Sequence, residues 1–233
     1  MSIERELIIS LLKLTREGSV SHELINKEAK IPLQIGEELL QKLQNDGLVY
    51  VRKGFVQVDS VQRLKLAVRA MELGADVERV SSVLEWQEFE NMAAIALERN
   101  GYGVQRNLRF KHAGRKWEVD VVGCKKPVVM SIDCKHWHHG MSPSVLKRIA
   151  EEQRERTKAL ADSLPNPAVK IEFASWEIVI LIPAVLSLTV GRSKLCDGVP
   201  VVPVLQLQDF VSQVPVYVNS LEHFQRTLRI GRL

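Results

Sequence analysis

The sequence predicts an α/β protein in which a small module of helices and one hairpin precedes a larger domain with a mixed β-sheet flanked by helices. The chain has 233 residues, of which 45% are hydrophobic and 26% are charged, a composition typical of globular proteins with buried cores. Apolar residues recur at helical spacing over much of the first 100 residues, and they alternate at strand spacing between residues 104 and 136. The length suits two domains of ordinary size.

Residues 1–60 are expected to form the small module. Apolar side chains follow a helical stripe over residues 3–14, and Ser21 is placed to cap a second helix. A third helix is predicted over residues 34–44, and residues 48–58 have the pattern of a hairpin. Three short helices and a hairpin resemble a winged-helix domain, which implies a small α+β fold.

Residues 61–84 are predicted to be a helical connector, and residues 85–233 are predicted to be the larger domain. Its order is helix, three strands, helix, two strands and helix, which is typical of a mixed sheet covered by helices. The predicted helices include residues 86–100 and 144–160, and the predicted strands cover residues 104–111, 116–123, 128–136, 176–182 and 199–205.

Basic residues are concentrated in places rather than spread evenly. The net charge is +4, yet the first 60 residues hold eight basic and nine acidic side chains. Local basic patches suit a polyanion, although an ordinary solvated surface explains many charge runs equally well. The candidate nucleic-acid contacts are Arg106, Arg109, Lys111, Arg115 and Lys116 in the larger domain, and Arg52 and Lys53 at the tip of the first hairpin.

The small module is equally suited to two roles. Glu37 and Glu38 fall on the exposed side of its third helix, where a groove-reading helix carries Arg, Lys, Asn or Gln. DNA contact would then depend on Arg52 and Lys53, and dimerisation or docking is the alternative.

Membrane insertion and a disulfide framework are not expected. No apolar run approaches the roughly 20 residues that a membrane helix needs, and acids stand where a signal peptide carries basic residues. The cysteines Cys124, Cys134 and Cys196 show no CxxC spacing, so reduced and buried thiols are predicted rather than disulfides or a zinc site. A cytoplasmic protein is the expectation.

Two aspartates occur inside predicted strands. Asp120 lies in the strand that begins near residue 116, and Asp133 lies in the next strand with Lys135 on the same face. The connection between the strands is short, which favours pairing and brings Asp120 close to Asp133. Paired carboxylates repel unless a cation joins them, and oxygen ligands of this kind suit Mg²⁺ or Mn²⁺. A neighbouring lysine would orient a water or neutralise developing charge, which is the chemistry of phosphodiester hydrolysis.

These residues also resemble a known motif. Asp120, followed after twelve residues by Asp133-Cys134-Lys135, is similar to the PD-(D/E)xK motif of the restriction-endonuclease-like nuclease superfamily, with Val119 in the place of the motif's proline. Upstream, Phe89-Glu90 and Gly101-Tyr-Gly-Val104 resemble the opening "FE … GY-V" of the branch that contains methylation-dependent restriction enzymes and archaeal Holliday-junction resolvases.

The resemblance covers about residues 85–215 and implies a mixed sheet with acids on its central strands and a helix glutamate that helps to hold the metal. By position that glutamate is Glu90, with Glu88 as a near alternative. Glu118 would support the ligands or add another. Gln153, on the following helix, would reach the site or cap the edge of the core.

The prediction is therefore an endodeoxyribonuclease that depends on Mg²⁺ or Mn²⁺ and acts in repair, recombination or restriction. Glu90, Asp120 and Asp133 would hold the metal, and Lys135 would position or activate water. DNA would cross the surface from Arg106 to Lys116, and a homodimer would cut both strands.

Alternatives remain open from the sequence. An RNA endonuclease, or a non-catalytic nucleic-acid-binding or regulatory protein on a nuclease-like platform, would carry the same residues. A strand aspartate and lysine also occur as a structural ion pair. His136, His138 and His139 are predicted to lie on a surface or substrate-facing loop, with a transition-metal site as the alternative.

Overall fold

The computed structural model describes residues 2–134, 142–165, 168, 176–188 and 194–228. They divide into two compact units, one extending to Glu88 and the other beginning at Phe89. Both units combine helices and strands, and the α/β class predicted from the sequence is confirmed. Predicted Lys135 and the histidines His136, His138 and His139 lie outside the described residues. Within those residues, no helix combines the length and the apolar character needed to cross a bilayer.

The first unit contains a helical cluster and a small antiparallel sheet. Ser2 and Ser21 cap the first two helices, their hydroxyl groups accepting hydrogen bonds from the backbone N–H groups of Arg5 and Leu24. The sheet has the order β1-β3-β2. The elements are α1 (Ile3–Leu14), β1 (Val20–Ser21), α2 (His22–Ala29), α3 (Leu33–Asn45), β2 (Tyr50–Arg52), β3 (Phe55–Gln57), α4 (Ser60–Glu72) and α5 (Val77–Ser81), with the start of α6 (Trp86–Arg99).

Two close contacts define the packing of this unit. Gly36 of α3 lies directly on Asn26 of α2, where a Cβ atom would stand 1.7 Å from Asn26 Oδ1. Arg63 of α4 is buried and donates to Glu88 Oε1 at 2.5 Å and to the carbonyl oxygen of Leu12 at 2.7 Å. This buried ion pair joins α4 to α1 and to the first turn of α6, and loss of either partner would leave a buried charge without its counter-ion.

The second unit is built on one mixed sheet. Its strand order is β4-β5-β6-β7-β9-β8. β10 pairs with the first half of β7, along the edge of β7 that faces away from β6. β6, β7 and β9 are parallel to one another, and the remaining pairs are antiparallel. The elements that follow α6 are β4 (Gly103–His112), β5 (Arg115–Lys125), β6 (Val128–Cys134), α7 (Pro143–Asp162), β7 (Ile178–Ser187), β8 (Leu195–Cys196), β9 (Val199–Pro203), α8 (Leu207–Tyr217) and β10 (Phe224–Thr227).

Helix α7 makes the crossover from β6 to the parallel strand β7 and covers the sheet. Leu160 of this helix shares a buried cluster with Val122, Val129 and Leu181 from three neighbouring strands. The near-continuous apolar sequence of β6 and β7 reflects burial on both faces. The sequence did not predict β8 and β10, since two and four residues are too few to show a periodic pattern.

The three cysteines are free thiols, as predicted, but their burial differs. Cys124 and Cys134 are buried, and burial raises the pKa of the Cys124 thiol to about 12. Cys196, expected to be buried, is partly exposed on the short edge strand β8.

Candidate functional site

Asp120 and Asp133 come level with each other on neighbouring antiparallel strands. Val121 of β5 pairs with Ile132 of β6, so the next position along the two strands is Asp120 opposite Asp133. The pairing of β5 with its other neighbour, β4, skips this level, where Asn107 has a φ of +51°. Asparagine adopts this left-handed conformation more readily than most residues. The β4–β5 ladder is thus interrupted beside the two aspartates.

The Asp120 carboxylate is held by the backbone of the next strand. Its Oδ2 accepts a hydrogen bond from the N–H group of Cys134 at 2.7 Å. Hydrogen bonds to a charged acceptor are stronger than those between neutral groups. This contact directs Asp120 towards the described end of β6, next to Asp133.

Asp133 is the more deeply buried acid, with only 1% of its surface exposed. The guanidinium of Arg156, on α7, donates to Asp133 Oδ1 and also to Gln153 Oε1, the latter at 2.8 Å. Gln153 is fully buried and donates in turn to the carbonyl oxygen of Ser131 at 2.7 Å. A continuous set of hydrogen bonds therefore attaches α7 to β6 beside Asp133, and Gln153 lies within it.

Glu90, on α6, has a strongly perturbed environment. It is 4% exposed, and its pKa is raised from 4.5 to about 7. Burial is the largest cause, and the negative charge of Asp120 is the next. Arg106 opposes the rise in pKa, Glu118 adds to it, and a hydrogen bond with Asn107 opposes it. Glu90 and Asp120 are therefore close enough for their charges to repel.

Glu88, the near alternative to Glu90, has different surroundings. Its carboxylate pairs with Arg63, and its Oε2 also accepts from the N–H group of Glu85 at 2.7 Å. Both oxygens thus have partners within the first unit. Glu90, by contrast, has a pKa that the charge of Asp120 raises.

The donor chemistry around Asp120 suits a hard divalent cation. Mg²⁺ prefers oxygen ligands and commonly takes one or two protein carboxylates with several waters. Glu90 Oε1 is buried and has no hydrogen-bond partner among the described residues. A bound cation would relieve the repulsion between the Glu90 and Asp120 carboxylates. No group of three or more His, Cys, Asp or Glu side chains within the described part of the chain is arranged to hold a metal. Glu90, Asp120 and Asp133 therefore do not form a closed three-carboxylate cage.

The predicted nucleic-acid contacts of the second unit are exposed on the β4–β5 hairpin. Lys111 and Lys116 are directly opposite each other on the two strands. Like charges in this arrangement destabilise a sheet, so an anionic ligand that contacts both would relieve an existing repulsion. Glu118 pairs with Arg109, whose Nε and Nη2 lie 3.1 and 3.2 Å from its carboxylate oxygens.

The other two cations of this group are partly engaged within the protein. Arg106 donates to the side chain of Asn91, and the guanidinium of Arg115 lies 3.9 Å from the ring centroid of Trp117. Arg52 and Lys53 are exposed at the hairpin of the first unit. The cations are therefore accessible in both units.

Arg156 and Asn107 did not emerge from the sequence. Arg156 follows Gln153 by three residues, and this spacing places both side chains on one side of a helix. The spacing is the sequence feature that could have indicated Arg156. Asn107 is an ordinary polar strand residue by pattern, and only the interrupted ladder distinguishes it.

Comparison of the chain with protein-family models, with curated proteins and with solved structures gave no match.

Proposed function

We propose that the chain is a metal-dependent endodeoxyribonuclease with a restriction-endonuclease-like second unit and a winged-helix first unit. The observation that carries this proposal is the placement of Asp120 and Asp133 level with each other at an interruption of the sheet, with Glu90 coupled to Asp120. The similarity to the PD-(D/E)xK motif implies acids on central strands and a helix glutamate that helps to hold the metal, and the positions of these three residues support that proposal.

Asp120 and Asp133 would hold a Mg²⁺ or Mn²⁺ ion, with Glu90 as a supporting ligand. When bound, the ion would polarise the phosphodiester and lower the pKa of a coordinated water. Each protein group has its own task. The Cys134 N–H group orients Asp120, and Arg156 holds Asp133 in place. Lys135, by its position in the motif, would orient the attacking water.

The hairpin cations support the choice of a nucleic acid as substrate. Lys111 and Lys116 face each other across the strands, and Arg109 lies two residues from Lys111 along β4. These side chains would contact successive phosphates and place the backbone near the acids. Two copies of the chain, each with one site, would cut both strands, and we place this activity in the cytoplasm.

A non-catalytic platform is the second candidate, and one observation favours it. Asp133 already has a cationic partner in Arg156, so the acid has a structural role that needs no metal. Titration of Mn²⁺ into the purified protein separates the two proposals. Binding that disappears in Asp120→Asn and Asp133→Asn supports the nuclease, and no such binding supports the platform.

The decisive experiment is a cleavage panel of single-stranded, duplex, branched and methylated DNA, with RNA as a further arm, in Mg²⁺ and in Mn²⁺. The wild-type protein should cut at least one form of DNA, and Asp133→Asn and Lys135→Ala should abolish cutting. Glu151→Gln is a matched control, because this acid on α7 pairs with Arg154 and takes no part in the proposed site. Cleavage that continues in both variants, after contaminating nuclease is excluded, refutes the proposal.

A further inference from the structure

The outer face of the small sheet in the first unit carries two aromatic side chains. Tyr50 of β2 is 60% exposed, and Phe55 of β3 is 52% exposed. On the inner face, Val51 pairs with Val56, which is fully buried. Because side chains alternate along a strand, the outer face is formed by Tyr50, Arg52, Phe55 and Gln57, with Arg52 opposite Phe55 and Tyr50 opposite Gln57.

Packing within the first unit does not account for these aromatic residues. Val56 is fully buried on the inner face, while Tyr50 and Phe55 keep more than half of their surface exposed. Single exposed apolar residues are common on protein surfaces, but neighbouring aromatic residues on one open face indicate a binding surface.

The charges around this face select an anionic ligand. The chain carries Arg52 and Lys53 between Gly47 and Val58 and has no acid in that stretch. Lys53 and Gly54 have φ values of +49° and +79°, which form the two-residue turn of a tight hairpin and place Lys53 at its tip. By contrast, α3 exposes Glu37 and Glu38. Within this unit the hairpin, rather than α3, thus has the charge that complements phosphate.

We propose that the outer face of the β2–β3 hairpin binds single-stranded nucleic acid. Unpaired bases stack on Tyr50 and Phe55, and Arg52 and Lys53 contact the phosphates. Every base has a π-face, so this recognition tolerates any sequence, and alanine substitution of such a stacking residue typically weakens binding by about fivefold or more. A paired duplex conceals its base faces and gains only the phosphate contacts. The site goes beyond the proposed cleavage and does not depend on metal chemistry.

The test is fluorescence anisotropy with the full-length protein in EDTA, using labelled oligothymidylate, oligouridylate and a duplex of equal length. Tyr50→Ala and Phe55→Ala should each weaken binding of the single strands at least about fivefold and change duplex binding less than about twofold. Arg52→Gln should weaken the binding of all three ligands and make that binding less dependent on salt concentration. Leu33→Ala removes a 48% exposed apolar side chain from α3 and is the matched control. It should leave the affinity for all three ligands unchanged.

Equal losses for single strands and duplex in the aromatic variants, or no loss in either variant, overturn the proposal and leave the face to a protein partner. The comparison of oligothymidylate with oligouridylate shows which of the two sugars the site prefers. Binding of either strand through Tyr50 and Phe55 supports the site. A protein that binds single strands through Tyr50 and Phe55 but cuts nothing would refute the nuclease and retain this site, so the two failures are distinguishable.

Discussion

Replacement of Glu90 by glutamine should stabilise the protein above neutral pH. The Glu90 carboxyl is 4% exposed and has a pKa of about 7 against an ordinary value of 4.5. That difference corresponds to about 3 kcal/mol of unfavourable free energy for the ionised form in the folded state. Glutamine keeps the shape of the side chain and carries no charge, so it removes this penalty at pH 8.

The effect has a defined dependence on pH. Below about pH 4.5 the carboxyl is protonated in both the folded and the unfolded chain, and Glu90 makes no pH-dependent contribution. Between 4.5 and about 7 the folded protein retains a proton that the unfolded chain has lost, so stability falls as the pH rises. Above this range both states are ionised, and the penalty is constant.

The assay is urea unfolding of wild type and Glu90→Gln at several pH values between 4 and 8.5, in EDTA. The free energy of unfolding of the variant should exceed that of wild type by up to about 3 kcal/mol at pH 8, and the difference should vanish near pH 4. Glu88→Gln is the matched control on the same helix. It removes the partner of buried Arg63, so it should lower stability at pH 8.

A difference that stays constant between pH 5 and pH 8, or a Glu90→Gln protein that is less stable than wild type at pH 8, refutes the reasoning. The same pair of proteins also tests the metal proposal. Saturating Mn²⁺ should raise the stability of wild type more than that of Glu90→Gln, since a ligand that binds only the folded state stabilises it.

Three further substitutions have expected outcomes. Gly36→Ala should destabilise the first unit by about 1–3 kcal/mol in urea unfolding, because the new Cβ would meet Asn26 Oδ1 at 1.7 Å. Asn26→Ala in the same chain should recover most of the lost stability. No recovery would count against this contact. Arg63→Leu leaves the buried Glu88 carboxylate without its cation and should lower the free energy of unfolding by about 3–5 kcal/mol, whereas a loss below about 1 kcal/mol would contradict a tightly coupled pair. Arg156→Gln removes the cation beside the buried Asp133 carboxylate and should lower the melting temperature. Mn²⁺ should then raise the stability of this variant more than that of wild type. Equal increases would argue against a metal at Asp133.

Several features of the fold could be predicted from the sequence because they depend on local patterns. The stripe of α1, the serine caps, the alternation in β5 and the apolar run of β6 are properties of neighbouring residues. Short elements could not be predicted in this way. β1, β8 and β10 exist because a partner strand completes their backbone hydrogen bonds, and their own two to four residues show no period.

The sequence also placed two aspartates on adjacent strands, but it could not specify their surroundings. Arg156 reaches Asp133, and Gln153 reaches Ser131, from a helix that lies about twenty residues further along the chain. The motif resemblance assigns the metal-side role to Glu90 and keeps Glu88 as the near alternative, and both are acids near the start of an apolar-striped helix. Their separation into an ion-paired residue and a residue with a raised pKa depends on which charges the tertiary structure brings near them.

The sequence by itself therefore determined the α/β class, the main helices and strands, and the acids on adjacent strands. These features could be predicted because periodicity and alternation depend on residues that are close together in the chain. Only the tertiary structure decided that Asp133 pairs with Arg156, that the ladder is interrupted at Asn107, and that Tyr50 and Phe55 share an open face with Arg52. Burial, charge proximity and strand register arise from residues distant in the chain, and these quantities set the pKa values, ion pairs and exposed surfaces of the protein.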